Sequence, residues 1–123
     1  MSPNGIVRAD SLFETALGLL LVAGAAAGWL DGGDFPTPVG ATVIVLAGVA
    51  LVGVGAVLWR LATGAIPPQL LLNLAIANSL TAALAIVWRL AADGFSGAGS
   101  SLVLATVAAL VALAAAQLAF RRA

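Results

Sequence analysis

Long uncharged apolar runs, separated by short polar breaks, organise the chain from end to end. Residues 15–30, 35–59, 61–88 and 94–120 carry no charge at all. Each run supplies about the 20 residues that cross ~30 Å of hydrocarbon at 1.5 Å per residue, the first with Leu12 and Phe13 added. The breaks have turn chemistry. "LDGGDFPTP" (Leu30–Pro38) combines Gly-Gly with two prolines that cannot continue a helix. "ATGAIPPQ" (Ala62–Gln69) ends the second run near Gly64 and puts Pro67 or Pro68 into the first turn of the third. "ADGFSGAGSS" (Ala92–Ser101) is a Gly/Ser loop whose final serines suit the start of the fourth. The pattern predicts helices near 11–30, 38–62, 67–91 and 100–121. It therefore predicts an all-α integral membrane protein, an antiparallel up-down-up-down four-helix bundle with short loops, as a single transmembrane domain over 1–123.

Composition points the same way. Of 123 residues, 63% are hydrophobic and only 8% charged, against about 25% charged in ordinary soluble domains. Mean hydropathy is +1.16. Ten charges cannot cover a water-soluble surface, so lipid is the expected solvent. Five arginines balance five acids, leaving no basic field to attract nucleic acid. Lysine, histidine and cysteine are absent, so no imidazole is present for haem or zinc and no thiolate for a metal. No Ser/His/Asp or Cys/His set, P-loop or dinucleotide fingerprint occurs. The carboxylate pairs Asp10/Glu14 and Asp31/Asp34 both flank turns or caps. The expectation is a protein without catalytic machinery, cofactor or metal.

The placement of arginines gives an orientation. Arg8, Arg60, Arg121 and Arg122 fall on one side of the fourfold-threaded membrane, with Arg89 alone opposite and the first loop purely acidic. This predicts cytoplasmic N- and C-termini in a multi-pass protein of the bacterial inner membrane, as the Ala/Arg-rich, Lys-free usage also suggests. The first run is read as a retained helix, since it lacks the strong basic start of a cleaved leader. Trp29, Trp59 and Trp88 each stand at a helix end, where the ring anchors in the headgroup layer.

Three sets of residues carry the candidate chemistry. Ser11 and Glu14 have the S-x-x-E spacing of a capping box, in which serine and glutamate satisfy each other's backbone N–H groups at a helix start. Asp10 suits the same partly positive end. The competing reading makes Glu14 a proton-coupled carboxylate within the membrane. In the third helix, Gln69, Asn73, Ala77, Thr81, Ala85 and Arg89 lie four apart and form one slowly drifting stripe, with Asn78 to its side. Amides avoid lipid, so Gln69, Asn73, Asn78 and Thr81 are expected to face the bundle. There they would either bond between helices or line a path for water, an ion or a small ligand. Small residues supply close-packing faces, Gly24 and Gly28 in the first helix and Gly48 and Gly55 in the second.

A four-helix protein of this size with a glutamate in its first helix is similar, on that residue, to the small multidrug resistance transporters. The resemblance implies that Glu14 would exchange protons for a cationic substrate. The chain departs from that family in its third helix, "LLNLAIANSLTAALAIVW", which contains no glycine, and in lacking tyrosine. Over residues 45–120, "IPPQLLLNLAIANSLTAALAIVW" followed by a Gly-rich loop and an Ala-rich last helix resembles a widespread group of small four-helix bacterial membrane proteins. That resemblance rests on Pro67, Asn78 and Trp88 and implies no activity. The first functional expectation is a helix-packing, accessory or self-associating membrane subunit, in contact with lipid and with a second copy or a larger membrane protein. The alternatives are a small oligomeric transporter or channel lined by the third helix, and a binder of a lipophilic small molecule anchored on Asn78.

Overall fold

The computed structural model describes residues 2–28 and 41–121. Four helices account for nearly all of them: α1 Pro3–Ala27, α2 Ala41–Leu61, α3 Pro68–Ala91 and α4 Gly97–Arg121. No strand occurs among the described residues. Trp29, Asp31 and Asp34, and with them the first loop, lie outside the described residues, as does Arg122.

The helix ends follow local chemistry. Ser2 caps α1, its Oγ accepting from Gly5 N at 3.1 Å, and Pro3 takes the first helical position. Gly28 closes α1 at φ 74°, a left-handed conformation in which its N–H reaches back to Ala25 O. Pro67 and Pro68 open α3. Ser96 opens α4, its Oγ accepting from Gly99 N at 2.9 Å.

Two expected starts are therefore corrected. The fourth helix begins at Gly97, capped by Ser96 rather than by Ser100 or Ser101. The first begins at Pro3, not near residue 11, so Ser11 and Glu14 stand inside the helix and form no capping box. "SPNG" (2–5) offers both a capping serine and a first-turn proline, and this earlier pair sets the start.

The helices pair as two hairpins. α1 packs along α2, α3 packs along α4, and the pairs meet through α1 and α4. The α1–α2 seam is drawn tight by glycine. A Cβ on Gly48 would lie 2.7 Å from Gly18 O, and one on Gly18 would lie 2.5 Å from Gly48 O, so only hydrogen lets the two backbones touch. Gly55 is equally confined, facing Ser11 O and Thr15 Oγ1.

One end of the bundle holds the apolar core. Val7 of α1, Leu58 and Ala62 at the end of α2 and Leu71 of α3 are buried together, with Ile66, Leu70, Leu74 and Phe120 packed against them. Asn4 Nδ2 donates to Ala62 O (2.7 Å) and Gly64 O (2.6 Å), fastening the start of α1 to the α2–α3 turn. The starts of α1 and α3 and the ends of α2 and α4 are thus at one end.

The outside is apolar. Leu20, Leu46, Leu80, Leu84 and Leu104 are all more than half exposed, Leu84 at 70%. Such a surface in water would aggregate, whereas in lipid it is the stable arrangement. α2 from Thr42, α3 and α4 are long and apolar enough to cross a membrane, with mean hydropathies of 2.4, 2.0 and 2.3. The chain is a helical membrane protein. α1 has the same length as α4 but carries Arg8, Asp10 and Glu14 in its first half, so it falls outside that set of three. Four equivalent apolar spans were expected, and the charges within α1 are the reason for the difference.

Candidate functional site

Where α1 meets the second hairpin, a polar cluster interrupts the hydrocarbon. Asp10 and Gln117 are fully buried, and Ser11 and Asn78 are 2% exposed. Three helices contribute. Asn78 Nδ2, from the middle of α3, donates to Asp10 Oδ2 at 3.0 Å and also to Gln117 Oε1 at 3.1 Å. Gln117 Nε2, from the last turns of α4, donates to the same Asp10 oxygen at 2.5 Å. Ser11 turns the other way and donates to Gly55 O of α2 at 2.6 Å. Consecutive residues of α1 therefore bind all three other helices.

The electrostatics are unusual for so apolar a protein. The two donors to Asp10 Oδ2 are neutral amides, and Oδ1 is buried with no amide or hydroxyl donor. The Glu14 carboxyl is hydrogen-bonded to that of Asp10 as well. The nearest arginine in sequence, Arg8, is exposed and holds its guanidinium 5.4 Å from the centre of the Trp59 ring. Two amide donors stabilise a charged acceptor by ~1.5–3 kcal/mol each. An ionised carboxylate brought into hydrocarbon without a cation opposes that with a larger desolvation penalty. A purely structural clamp between these helices would be better served by an amide at position 10.

Glu14 lies one turn beyond Asp10 on the inner side of α1, half-buried, and its carboxyl and that of Asp10 act on one another electrostatically. Because α1 starts at Pro3, Glu14 is ~17 Å along the helix axis from its beginning, at 1.5 Å per residue. The carboxyl therefore sits at the middle of the helix rather than in its first turn. No family model, curated protein or solved structure matches the chain. The site is accordingly read from its own geometry.

The α3 stripe is split. Gln69, Asn73 and Thr81, expected to face the bundle, lie on its outside, and Asn78 alone faces in. At 100° per residue, Asn78 is about half a turn round the helix from Gln69, so one interior face cannot take both. The buried face instead runs Leu71, Ala75, Asn78, Ala82. The outer polar groups bond within their own helix: Gln69 Nε2 donates to Asn73 Oδ1 at 2.9 Å and Thr81 Oγ1 to Ala77 O at 2.8 Å.

The other singled-out residues are distributed over both ends. Gly48 and Gly55 form the α1–α2 seam, Gly24 is buried on α1, and Gly28 has open space at its Cα and acts as the helix terminator rather than a packing surface. Trp59 stands at the end of α2 and Trp88 near the end of α3, its ring edge-on to Phe95 with centroids 4.8 Å apart.

Asp10 and Gln117 are the site residues that sequence reasoning passed over. The sequence reading places Asp10 at a helix start and gives Gln117 no role. A signal existed for both. Gln117 is the only amide in α4, and Asp10 is followed by an apolar helix on which it must take some inward direction.

Proposed function

We propose that this chain is a small non-catalytic membrane protein of the transport class, working by taking up and releasing a proton at Asp10 and Glu14. The observation that carries the reading is the full burial of Asp10 against two neutral amides, where a carboxylate is the least favourable residue for holding helices together. Titratable acids inside a membrane bundle are kept for chemistry that an amide cannot perform. The neighbouring elements bring no competing ionisable group. α2 presents Gly55 O, α3 presents Asn78 and α4 presents Gln117, while Arg60, Arg89 and Arg121 stand at helix ends. The proton adds to a carboxylate oxygen and leaves from it, and Asn78 and Gln117 orient Asp10 in both states. Residence in the bacterial inner membrane with both termini cytoplasmic belongs to the same proposal, supported by Arg8, Arg60 and Arg121 at one end.

The test is proton entry into vesicles that contain the protein and a trapped pH-sensitive dye, driven by a potassium diffusion potential. The expected result is a flux above empty vesicles that Asp10→Asn abolishes and Glu14→Gln lowers, with helical content unchanged. Equal fluxes for the parent protein and Asp10→Asn would remove the reading.

A self-associating packing subunit is the second reading. What favours it is the Gln69–Asn73 pair on the outer face of α3, where an amide in lipid gains from a partner in a second copy. A lipophilic ligand anchored on Asn78 has less support, because the Asn78 amide nitrogen already serves Asp10 and Gln117.

A further inference from the structure

At the end of the bundle where α1 and α3 begin, the exposed charged side chains among the described residues are all of one sign. Arg8, Arg60 and Arg121 are exposed there, while Asp10 is buried and Glu14 lies deeper. Arg8 rests over the half-exposed indole of Trp59, its guanidinium 5.4 Å from the ring centre, and Arg60 is the next residue of α2. At the end of α2 an open groove is lined by Val57, Arg60, Leu61, Thr63, Gly64 and Ala65, with Arg60 the one charged group in a largely apolar lining. One turn before Val57 on the same face of α2 stands Gly53, where a Cβ would meet nothing within 4 Å. Val54 and Val57 beside it are both exposed.

We infer that this groove binds an anionic phospholipid, with the phosphate against Arg60, Arg8 adding a second positive charge from over Trp59, and an acyl chain along the exposed Gly53–Val57 face of α2. Three features select that occupant over others. A guanidinium pairs bidentately with a phosphate, which a zwitterionic headgroup's own ammonium would weaken. An indole at the interface suits the glycerol level of the bilayer. Exposed apolar residues of α2 one and two turns before Arg60 fit an occupant that is itself charged at one end and hydrocarbon at the other. Juxtamembrane arginines attract anionic lipid by about fivefold in local concentration for each charge.

The test uses Trp59 as the reporter. Trp29→Phe and Trp88→Phe leave it as the sole tryptophan, and the protein is reconstituted into phosphatidylcholine vesicles with a minor fraction of phosphatidylglycerol. Bromine is placed on the acyl chains of one lipid or the other, near the headgroup. The expected result is quenching by brominated phosphatidylglycerol well beyond its bulk fraction, falling about fivefold in preference with Arg60→Gln and to the bulk fraction with Arg8→Gln added. Quenching at the bulk fraction in the arginine-bearing protein overturns the inference, as does a preference that survives both substitutions. Inorganic phosphate, added at constant ionic strength, should leave the preference intact. Its loss would assign the groove to a free anion and overturn the lipid. Should the tryptophan substitutions prevent folding, native mass spectrometry of the parent protein and of Arg60→Gln, released from mixed-lipid vesicles, reads the same ratio of retained lipids.

Discussion

Gln117 Nε2 meets Asp10 Oδ2 at 2.5 Å, so the last helix is tied to the first across 107 positions of sequence. This bond and the paired one from Asn78 are a polar link between two hairpins whose apolar contact gathers at one end, around Val7, Leu58 and Leu71. Removing Asp10 should therefore act on both hairpins. Asp10→Ala leaves buried amide donors on Asn78 and Gln117 unpaired, at ~1–3 kcal/mol for each orphaned group. A lower midpoint of unfolding in detergent is expected. Asp10→Asn, which keeps an acceptor and sheds the buried charge, should recover most or all of the loss.

Gln117→Leu separates the two ends of the same link. Asp10 then keeps a single amide donor and the Asn78 amide loses an acceptor, so a destabilisation of ~1–3 kcal/mol is expected. Thermal unfolding followed by circular dichroism would read it, and a midpoint within error of the parent would count against this link between the hairpins.

Two glycines of α2 should respond in opposite directions. A Cβ at position 48 would press on Gly18 O, a backbone atom that cannot rotate away, so Gly48→Ala should destabilise by ~1–3 kcal/mol. At Gly53 the space is open and alanine is the better helix former, so Gly53→Ala should stabilise by up to ~1 kcal/mol. Unfolding both variants in a graded mixture of mild and denaturing detergents compares them directly.

The two asparagines of α3 are a further pair. Asn78→Leu removes two interhelical bonds and should be severely destabilising, whereas Asn73→Leu replaces an outward amide by a residue that lipid accepts. Parent-like thermal stability of Asn73→Leu, together with loss of any dimer seen by crosslinking, would locate self-association on that face.

At the helix starts, Ser2→Ala should lower stability by ~0.5–2 kcal/mol through loss of the cap of α1. Ser11→Ala should lower it through the seam, since the Ser11 hydroxyl donates to Gly55 O and caps nothing. Amide exchange distinguishes them, with fraying at residues 3–6 expected for the first variant alone.

Much of the fold was legible because the membrane imposes one period and one length on every span. Spacing of charges gave the number of helices and the course of the last three, and the prolines at 67 and 68 placed the start of α3 to within a residue, while the charges inside α1 hid its true start. The site was harder to read. A row at four-residue spacing states which residues share a face, but not which face turns inward. On α3 that choice went to Ala75, Asn78 and Ala82, whose small volumes admit α4 closely, and Gln69 and Asn73 were left outside. The reading of Ser11 and Glu14 failed on a competing signal of the same kind eight to nine residues upstream. Both Ser2 and Ser11 precede plausible first turns, and only Ser2 has proline in the position that a nascent helix favours.

The order in which the links of the polar cluster become available has a consequence for biogenesis. Asp10 emerges from the ribosome with the first helix, but its two donors follow 68 and 107 residues later. The glycine seam between α1 and α2 is complete long before then, so the leading pair must enter the bilayer with its acid unattended and wait for the trailing pair to dock. A chain truncated after α3 would strand that acid with one donor of its two, which makes the last helix the step on which quality control of this protein should act.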